Sequence, residues 1–575
     1  MNTMKKIAII VFRVVIISIF IILLTIVLFK GFVKLKELFP GYEKAHASQF
    51  FEGIDEDYTY VVFEDQPLAL LHYPVILEDK IYLPIDFVIE YLNPNFYWDE
   101  KESTLTYTTT QDVVRMKSNE LDYFINDKPL KLNMPIIRME DSSAYIPLDL
   151  LGKFCDYEVK YNDELDLLVI DDVKRDSMYG SIRKGKVKLR ITTSENSNYI
   201  KKLAEGEKVK IYEENEKWYK VRTEEGYIGF LQKNSIEDIT NIVGKQEEWL
   251  PHPPVPGYEG KVNIAWHQVT NVSANSGLIN ALEGVTGLDV LSPTWFALSD
   301  SEGNVSNIAD VSYVNWAHDQ GYQVWALFSN SFSSTITHDV LSSTEKREKV
   351  IKQILALSAI YELDGINIDF ESIAKEDGIF YVQFIKELTP YLKKQGLIVS
   401  VDMYVPSAWT AHYDRTQVGS IVDYLIIMGY DEHWSGSKES GSVASIGFVK
   451  KGISDTLKEV PKEKVILGLP YYTRLWKEEL IDSEVVVSSK AYSMNRAYEI
   501  LVENKAIIEW NEEVGQYYGE YDIGEVTYKI WLEEERSIEE KVKLAKEYEL
   551  AGVSGWKLGL EKDEVWQVLK DYLKE

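Results

Sequence analysis

Polar and apolar side chains alternate through residues 363–371, which read Leu-Asp-Gly-Ile-Asn-Ile-Asp-Phe-Glu. On a strand, alternate side chains share a face, so Asn367, Asp369 and Glu371 point to one side and their apolar neighbours to the other. Same-face neighbours lie about 6.7 Å apart, which lets the Asp369 and Glu371 carboxyl groups share a proton or a hydrogen bond. Because like charges this close cannot both ionise freely, one carboxyl pKa should rise. A protonated Glu371 would be an acid suited to a leaving glycosidic oxygen.

Eight apolar runs of strand length alternate with amphipathic helices between residues 258 and 575. Eight such units in about 300 residues predict a (β/α)8 TIM barrel, whose chemistry lies at the C-terminal ends of its strands. Residues 477–530 break the rhythm, and we interpret them as an α+β insertion between the seventh and eighth strands. The alternative for residues 363–371, a solvated or metal-binding acidic strand, is disfavoured by their apolar flanks. The predicted strands are Val262–Trp266, Val290–Phe296, Val324–Ser329, Gly365–Glu371, Ile398–Tyr404, Tyr424–Tyr430, Val465–Pro470 and Val553–Leu558.

The barrel region carries three ordered motifs that resemble those of family 18 glycoside hydrolases, the chitinase family. Residues 364–371 are similar to the family signature Asp-Gly-x-Asp-x-Asp-x-Glu, with Asn367 in place of the middle Asp. Residues 428–431, Met-Gly-Tyr-Asp, end the predicted sixth strand, and Trp556 lies in the eighth. The resemblance implies a glycosidase and requires no cofactor or metal.

The resemblance also implies a mechanism and a set of site residues. In this family the 2-acetamido oxygen of the bound sugar attacks its own anomeric carbon, so the substrate supplies the nucleophile. By match, Glu371 protonates the leaving oxygen and then activates water, Asp369 orients the acetamido group, and Tyr430 hydrogen-bonds it. The remaining matched positions bind the sugar or support Asp369, although Asp431 has a purely structural role as its alternative: Trp556, Met428, Asp431, Asn367 and Asp364.

Residues 430–436, Tyr-Asp-Glu-His-Trp-Ser-Gly, narrow the resemblance to spore and cell-wall N-acetylglucosaminidases. The predicted partner is therefore an N-acetylglucosamine-containing polysaccharide, either peptidoglycan of the wall or spore cortex, or chitin. Two alternatives stay open. One is a chitinase or chito-oligosaccharide hydrolase, and the other is a sugar-binding lectin of the same fold. Lectin-type members commonly lose the acid, so the presence of Glu371 favours an enzyme.

An internal repeat with an offset of 63 residues precedes the barrel. Residues 82–86, Tyr-Leu-Pro-Ile-Asp, return as Tyr-Ile-Pro-Leu-Asp at 145–149, and Trp98-Asp99 returns as Tyr161-Asn162. Each copy predicts a strand, a Pro-initiated helix and a β-hairpin. The region 60–172 resembles the duplicated copper amine oxidase N-terminal module, but its single Cys and single His imply no copper.

Two shorter regions lie between the repeat and the barrel. Residues 179–238 alternate apolar and polar side chains around Trp218 and resemble a bacterial Src-homology-3-type β-barrel. Residues 239–257 include Pro-His-Pro-Pro-Val-Pro and predict a stiff linker. Together with the barrel, these regions predict a multidomain protein, which agrees with a length of 575 residues.

Composition excludes several classes of function. The formal net charge of −30 argues against a nucleic-acid partner, because binding phosphates needs a basic face. The single cysteine, Cys155, excludes an intramolecular disulfide, a Cys-rich zinc site and an iron–sulfur cluster.

The N-terminus carries an apolar run at residues 7–29, interrupted only by Arg13. A helix over this run would be about 34 Å long, enough to cross a bilayer. The sequence therefore predicts a single-pass protein of the cell membrane with its large C-terminal part extracytoplasmic. A cleaved signal peptide is the alternative, since Ala-His-Ala at 45–47 resembles a cleavage site.

Overall fold

The computed structural model describes residues 25, 44–45, 58–138, 143–245, 260–482 and 484–574. The chain forms two compact units, each made of two stretches of sequence. The first unit comprises Met1–Pro94 and Met134–Leu250, and the second comprises Asn95–Asn133 and Pro251–Glu575. The second unit therefore takes one piece of the repeat region as well as the whole predicted barrel.

Eight parallel strands close into a barrel in the second unit. Each strand pairs with its neighbours in chain order, and the eighth pairs with the first in the register Val262↔Gly552. The strands are buried on both faces, which explains why their sequences are nearly continuous apolar runs. The predicted eight-stranded barrel is confirmed. Its strands are Val262–His267, Val290–Leu298, Gln323–Ser329, Gly365–Asp369, Ile398–Tyr404, Tyr424–Met428, Val465–Pro470 and Gly552–Trp556.

Helices follow the barrel strands and pack on their outward side chains, which form one large apolar core. Several helices begin at a serine whose hydroxyl caps a free backbone N–H; Ser343, for example, accepts from the amide of Lys346. The helices are Leu278–Ala281, Val311–Asp319, Ser334–Leu341, Thr344–Ile360, Gly378–Lys394, Arg415–Ile421, Ile446–Thr456, Glu535–Glu547 and Asp563–Leu573.

The insertion between the seventh and eighth strands is a five-stranded antiparallel sheet with one helix, Met494–Glu503. It starts at Tyr472, two residues after the seventh strand ends, so it begins earlier than the predicted residue 477. Its strands are Tyr472–Ile481, Glu484–Ser493, Ile507–Asn511, Gln516–Ile523 and Val526–Leu532.

A second antiparallel sheet of five strands, here called the accessory sheet, belongs to the same unit although it comes from the repeat region. It contacts the barrel helices Thr344–Ile360 and Gly378–Lys394. Arg115 of the sheet donates to Glu387 at 3.0 Å, and Glu387 also accepts from Arg347 at 2.9 Å. The strands of the sheet are Phe96–Asp99, Thr104–Thr108, Val113–Lys117, Asp122–Ile125 and Lys128–Lys131.

The first unit holds the rest of the repeat. Strands Lys80–Pro84 and Ala144–Pro147, one from each copy, pair antiparallel in the register Ile146↔Leu83. Short helices start after the two prolines, at Ile85–Phe87 and Leu148–Leu151, as the repeat predicts. The helix turn Val88–Leu92 and the remaining strands complete this part: Tyr60–Phe63, Gln66–Leu68, Val75–Leu77, Ile137–Arg138, Tyr157–Asn162 and Leu167–Asp172.

A seven-stranded sheet completes the first unit and covers the region predicted as a small β-barrel. Its last strand, Ile236–Ile242, extends into the predicted linker, whose residues 246–257 lie outside the described residues. The other strands are Ser177–Ile182, Val187–Arg190, Tyr199–Leu203, Lys208–Glu214, Trp218–Thr223 and Ile228–Gln232.

The predicted membrane segment 7–29 lies, apart from Thr25, outside the described residues. Where the structure does describe the chain, it contains no helix of the length and apolar character that crossing a bilayer requires. This finding contradicts the predicted location in the cell membrane, and that prediction is corrected here.

Candidate active site

The fourth barrel strand, Gly365–Asp369, presents Asn367 and Asp369 to the barrel interior, where they are 1% and 7% exposed. The alternate residues Ile366 and Ile368 belong to the outer core beneath the helices. This is the alternation that the sequence predicts. Glu371 lies two residues beyond the strand, at the C-terminal end of the barrel, where TIM barrels place their chemistry.

A pocket of about 340 Å³ opens at this end of the barrel, a volume typical of small-ligand sites. Aromatic side chains line much of its wall, and four carboxyl groups reach it from three strand ends. Six residues that the motifs predict line this pocket together: Asp369, Glu371, Met428, Tyr430, Asp431 and Trp556. The other lining residues include Trp266, Leu327, Phe332, Asp402, Tyr404 and Tyr472.

Glu371 is held by both its side chain and its backbone. The Tyr404 hydroxyl donates to Glu371 Oε2 at 2.5 Å. Asn330 brackets the Glu371 backbone: its Nδ2 donates to the carbonyl at 2.7 Å, and its Oδ1 accepts from the amide at 3.1 Å. Burial raises the pKa of Glu371, the charge of Asp431 adds to the rise, and the hydrogen bond from Tyr404 opposes it. The net effect is a raised pKa, so Glu371 keeps its proton to a higher pH than a glutamic acid in water does.

Asp369 is buried beside two other carboxyl groups. Burial raises its pKa well above the ordinary value, and the charges of Asp402 and Glu371 raise it further. Within the part of the chain that the structure describes, Asp369 Oδ1 has no hydrogen-bond partner, although the side chain lines the pocket. A polar atom of a bound ligand can therefore pair with this oxygen.

Asn367 lies one layer below Asp369 and is fixed by four side chains. Its Nδ2 donates to Ser400 Oγ at 3.0 Å and to Asp402 Oδ1 at 2.8 Å. Its Oδ1 accepts from Trp266 Nε1 at 2.8 Å and from Ser292 Oγ at 3.3 Å. Only an amide can donate and accept in this way, which gives a physical reason for Asn at this position.

Tyr430, Asp431 and Trp556 complete the pocket wall. Trp556 packs edge-on against Trp266, with ring centroids 6.0 Å apart. Asp431 adopts a left-handed backbone conformation, with φ of 59°, and accepts from the Tyr472 hydroxyl at 2.5 Å. Because Tyr472 begins the insertion, this bond ties the end of the sixth strand to the insertion sheet.

The barrel region can now be compared with known proteins. Residues 296–561 match the model of glycosyl hydrolases family 18. The chain carries a family 18 glycosyl hydrolase domain. Two further models match outside this domain: the copper amine oxidase N-terminal domain at residues 62–170 and the bacterial dipeptidyl-peptidase Sh3 domain at residues 199–236. The three resemblances found in the sequence are confirmed.

Relatives of the family 18 domain include bacterial glycosylases. The chain is 27% identical over 328 residues to the uncharacterized glycosylase YvbX of Bacillus subtilis (strain 168), covering 54% of this chain and 93% of YvbX. It is 23% identical over 321 residues to the cortical fragment-lytic enzyme of Bacillus anthracis, and this match covers 53% of this chain and 73% of that enzyme. The crystal structure of the "C-terminal domain of putative chitinase" from Desulfitobacterium hafniense DCB-2 matches with a TM-score of 0.51 and 23% identity. This match covers 55% of this chain and 99% of that domain. This last likeness shows the fold.

Two predicted substrate-binding residues of the family 18 domain do not reach the pocket. Asp364 precedes the fourth strand and accepts from the Val324 amide at 2.8 Å, with His318 Nε2 also 2.8 Å away. Asp369 lies five residues further along the chain, about 16 Å away in an extended strand. Asn367 is 1% exposed, and its amide is engaged by Trp266, Ser292, Ser400 and Asp402 in the barrel interior. Neither Asp364 nor Asn367 is among the residues that line the pocket.

Asn330 is one of the site residues that the sequence motifs do not include. It follows the third barrel strand, is fully buried, and donates to Thr337 Oγ1 at 2.8 Å as well as to the Glu371 carbonyl. An amide at the C-terminal end of a barrel strand is the available signal. That signal is weak, because the sequence does not show that Asn330 will contact Glu371, which follows a different strand.

Proposed function

We propose that the family 18 domain cleaves the β-1,4 bond that follows N-acetylglucosamine in peptidoglycan, by a substrate-assisted retaining mechanism. One observation carries the proposal. Glu371 and Asp369, both with raised pKa values, face one pocket together with Tyr430 and Trp556.

Glu371 is the proposed acid and base. A carboxyl group must be protonated near neutral pH to donate to a leaving oxygen, and burial favours that form. Tyr404 and Asn330 fix its position, so its proton is directed into the pocket. After the leaving group departs, the Glu371 carboxylate can take a proton from water, which attacks the anomeric carbon.

The proposed nucleophile is the acetamido oxygen of the substrate. Asp369 and Glu371 come from the same strand end, so they approach the sugar from the same side. A carboxylate nucleophile would have to reach the face opposite the acid. Asp369 is instead placed to accept from the acetamido N–H with its unpartnered Oδ1, and Tyr430 can hydrogen-bond the same group. Trp556 offers an apolar floor for the sugar ring.

Peptidoglycan is proposed as the substrate on two grounds. One relative of the domain is named a cortical fragment-lytic enzyme. Residues 430–436 also resemble the spore and cell-wall subgroup of the family. Chitin shares the 2-acetamido group that the mechanism needs, so it is the competing substrate that an experiment must exclude.

The test compares the full chain with Glu371→Gln and with the control Glu283→Gln, which changes an exposed glutamate outside the pocket. We expect new reducing ends from purified peptidoglycan with the parent and the control, and almost none with Glu371→Gln. Mass spectrometry should find reducing N-acetylglucosamine ends.

Three results would contradict the proposal. Reducing N-acetylmuramic acid ends would show that the other glycosidic bond is cut. Faster release from chitin oligomers would favour a chitinase. Binding to peptidoglycan without any release by the parent would favour a lectin.

A further inference from the structure

The fifth barrel strand brings a second carboxyl group beside Asp369. The fourth and fifth strands pair in the register Asn367↔Ser400 and Ile368↔Val401. This register sets Asp369 opposite Asp402, on strands about 4.8 Å apart. Both residues line the pocket, so both side chains point inward at the same height.

Asp402 is built into the barrel interior. It is 3% exposed, and its Oδ1 accepts from Asn367 Nδ2 at 2.8 Å. Asn367 is itself fixed by Trp266, Ser292 and Ser400, so the amide that reaches Asp402 has a set position. Asp402 is thus a buried carboxyl group that accepts a hydrogen bond from Asn367 and lies beside Asp369.

We propose that Asp402 is a positioning residue that shares one proton with Asp369 and accepts it during the reaction. In the family signature an Asp stands where this chain has Asn367, and an amide cannot take up that proton. The carboxyl group that neighbours Asp369 comes instead from the fifth strand, as Asp402. The inference rests on the proposed function, because it concerns how Asp369 responds to the substrate.

The proton balance of the pair is simple. Two adjacent buried carboxyl groups resist ionising together, and in the proposed resting state they hold one proton and one negative charge. The amide of Asn367 stabilises the charge on Asp402, which leaves the proton on Asp369 in the resting site. When positive charge develops on the acetamido nitrogen, the proton passes from Asp369 to Asp402. Asp369 then carries the negative charge next to the substrate, and the total charge of the pair is unchanged.

Other titratable groups face the same pair. Glu371 lies beyond the fourth strand, and Tyr430 and Asp431 follow the sixth. Tyr381, on helix Gly378–Lys394, also interacts with the charges of Asp369 and Asp402. A pH profile therefore reports the whole group, and the decisive test must move a carboxyl group between the two strands.

The test exchanges the two side chains in the full chain. Asp402→Asn and Asn367→Asp are made singly and together, and hydrolysis of peptidoglycan is measured. We expect Asp402→Asn to lower kcat at least 100-fold with KM changed less than threefold, since Asp402 acts through Asp369. The double variant, which returns the carboxyl group to the fourth strand, should recover kcat to within tenfold of the parent and restore the pH profile.

Asp377→Asn is the matched control. Asp377 is 1% exposed and pairs with His338 at 2.7 Å, outside the pocket. The kcat of the Asp377→Asn variant should stay within threefold of that of the parent. The proposal is overturned if Asp402→Asn keeps more than half of the parent kcat, or if the double variant is no more active than Asp402→Asn. If Asp402→Asn does not fold, the double variant decides: a kcat more than tenfold below the parent overturns the proposal.

A binding measurement separates this proposal from the proposed function. A thiazoline derived from N-acetylglucosamine mimics the oxazolinium intermediate, and calorimetry gives its Kd without any turnover. We expect Asp402→Asn to weaken binding at least tenfold and the double variant to restore it. Equal Kd values for the parent and Asp402→Asn would overturn the role of Asp402, even if the parent hydrolyses peptidoglycan. Failure of the parent to hydrolyse any substrate would overturn only the proposed function.

Discussion

Two buried carboxyl groups in the second unit have opposite protonation behaviour. Asp369 is 7% exposed and Glu387 is 0% exposed. Burial alone would raise the pKa of both. The pKa of Glu387 is nevertheless lowered, because the guanidinium groups of Arg347 and Arg115 stabilise its charge. The pKa of Asp369 is raised, because its charged neighbours are carboxyl groups.

The difference follows from the partners and not from the depth of burial. Glu387 accepts from Arg347, Arg115 and Gln383, so its negative charge is matched where the accessory sheet contacts the barrel helices. Asp369 has an unpartnered oxygen and no cation beside it among the described residues that contact it. The Glu387 cluster fixes structure, whereas the pocket keeps protons available for chemistry.

The sharpest way to test this contrast is to neutralise Glu387. Glu387→Gln removes the buried counter-charge that Arg347 and Arg115 share, and leaves Arg115 only the carboxylate of Glu348 at 3.9 Å. We expect the free energy of unfolding, measured with urea, to fall by about 3–5 kcal/mol. The exposed control Glu283→Gln should change it by less than about 0.5 kcal/mol. A loss below about 1 kcal/mol for Glu387→Gln would show that the ion cluster does not stabilise the unit.

The same kind of change at Asp369 should act on catalysis. Asp369→Asn removes the group proposed to orient the acetamido nitrogen, so we expect kcat to fall about 100-fold. Its free energy of unfolding at about pH 8 should be unchanged or higher, because the raised pKa means that the charged form opposes folding. Unchanged kcat, or destabilisation as large as that of Glu387→Gln, would remove the distinction between the two sites.

Opposite pKa shifts predict opposite dependences of stability on pH. For Glu387 the folded pKa lies below the ordinary 4.5, so its contribution is present above about pH 4.5 and is lost as the pH falls through the folded pKa. For Asp369 and Asp402 the folded pKa values are raised, so the stability from their protons is lost as the pH rises through those values. Urea unfolding of each variant across this range checks the signs. Glu387→Gln should flatten the acid side of the profile, and Asp402→Asn the alkaline side.

The smallest expected effect concerns the edge of the accessory sheet. Asp99 accepts from the amide of Thr344 at 2.9 Å and from its hydroxyl at 2.7 Å, at the start of helix Thr344–Ile360. Asp99→Asn keeps the shape but removes a negative charge near a helix N-terminus. Thermal and urea unfolding should show a loss of about 1 kcal/mol. No loss would show that the charge of Asp99 contributes nothing to this contact.

The polar positions of the fourth strand were predictable because they follow the two-residue period of a strand. Asp364 belongs to the motif but not to the pocket lining, because it precedes the strand and lies about 16 Å from Asp369. Asn330 belongs to no such alternating pattern. Its bonds to Glu371 exist only because the third and fourth strands are neighbours in the barrel. The alternation of side chains predicts the fourth strand, but it does not predict which residue of a neighbouring strand hydrogen-bonds to Glu371.

The accessory sheet shows the same limit for domain boundaries. The repeat predicted one module at 60–172, yet residues 95–133 form a unit with the barrel. The alternation of apolar and polar residues in the accessory sheet does not show which part of the chain will pack against that sheet. Its contact from Arg115 to Glu387 spans 272 residues of sequence.

This separation has a consequence for biosynthesis. A ribosome adds roughly 5–20 residues per second, so Glu387 emerges about 14–54 s after Arg115. During that interval the first piece of the catalytic unit exists without the helices that bury it. A chaperone that recognises exposed apolar strands would meet residues 95–133 in this window. The length of that delay would then help to set the yield of active enzyme.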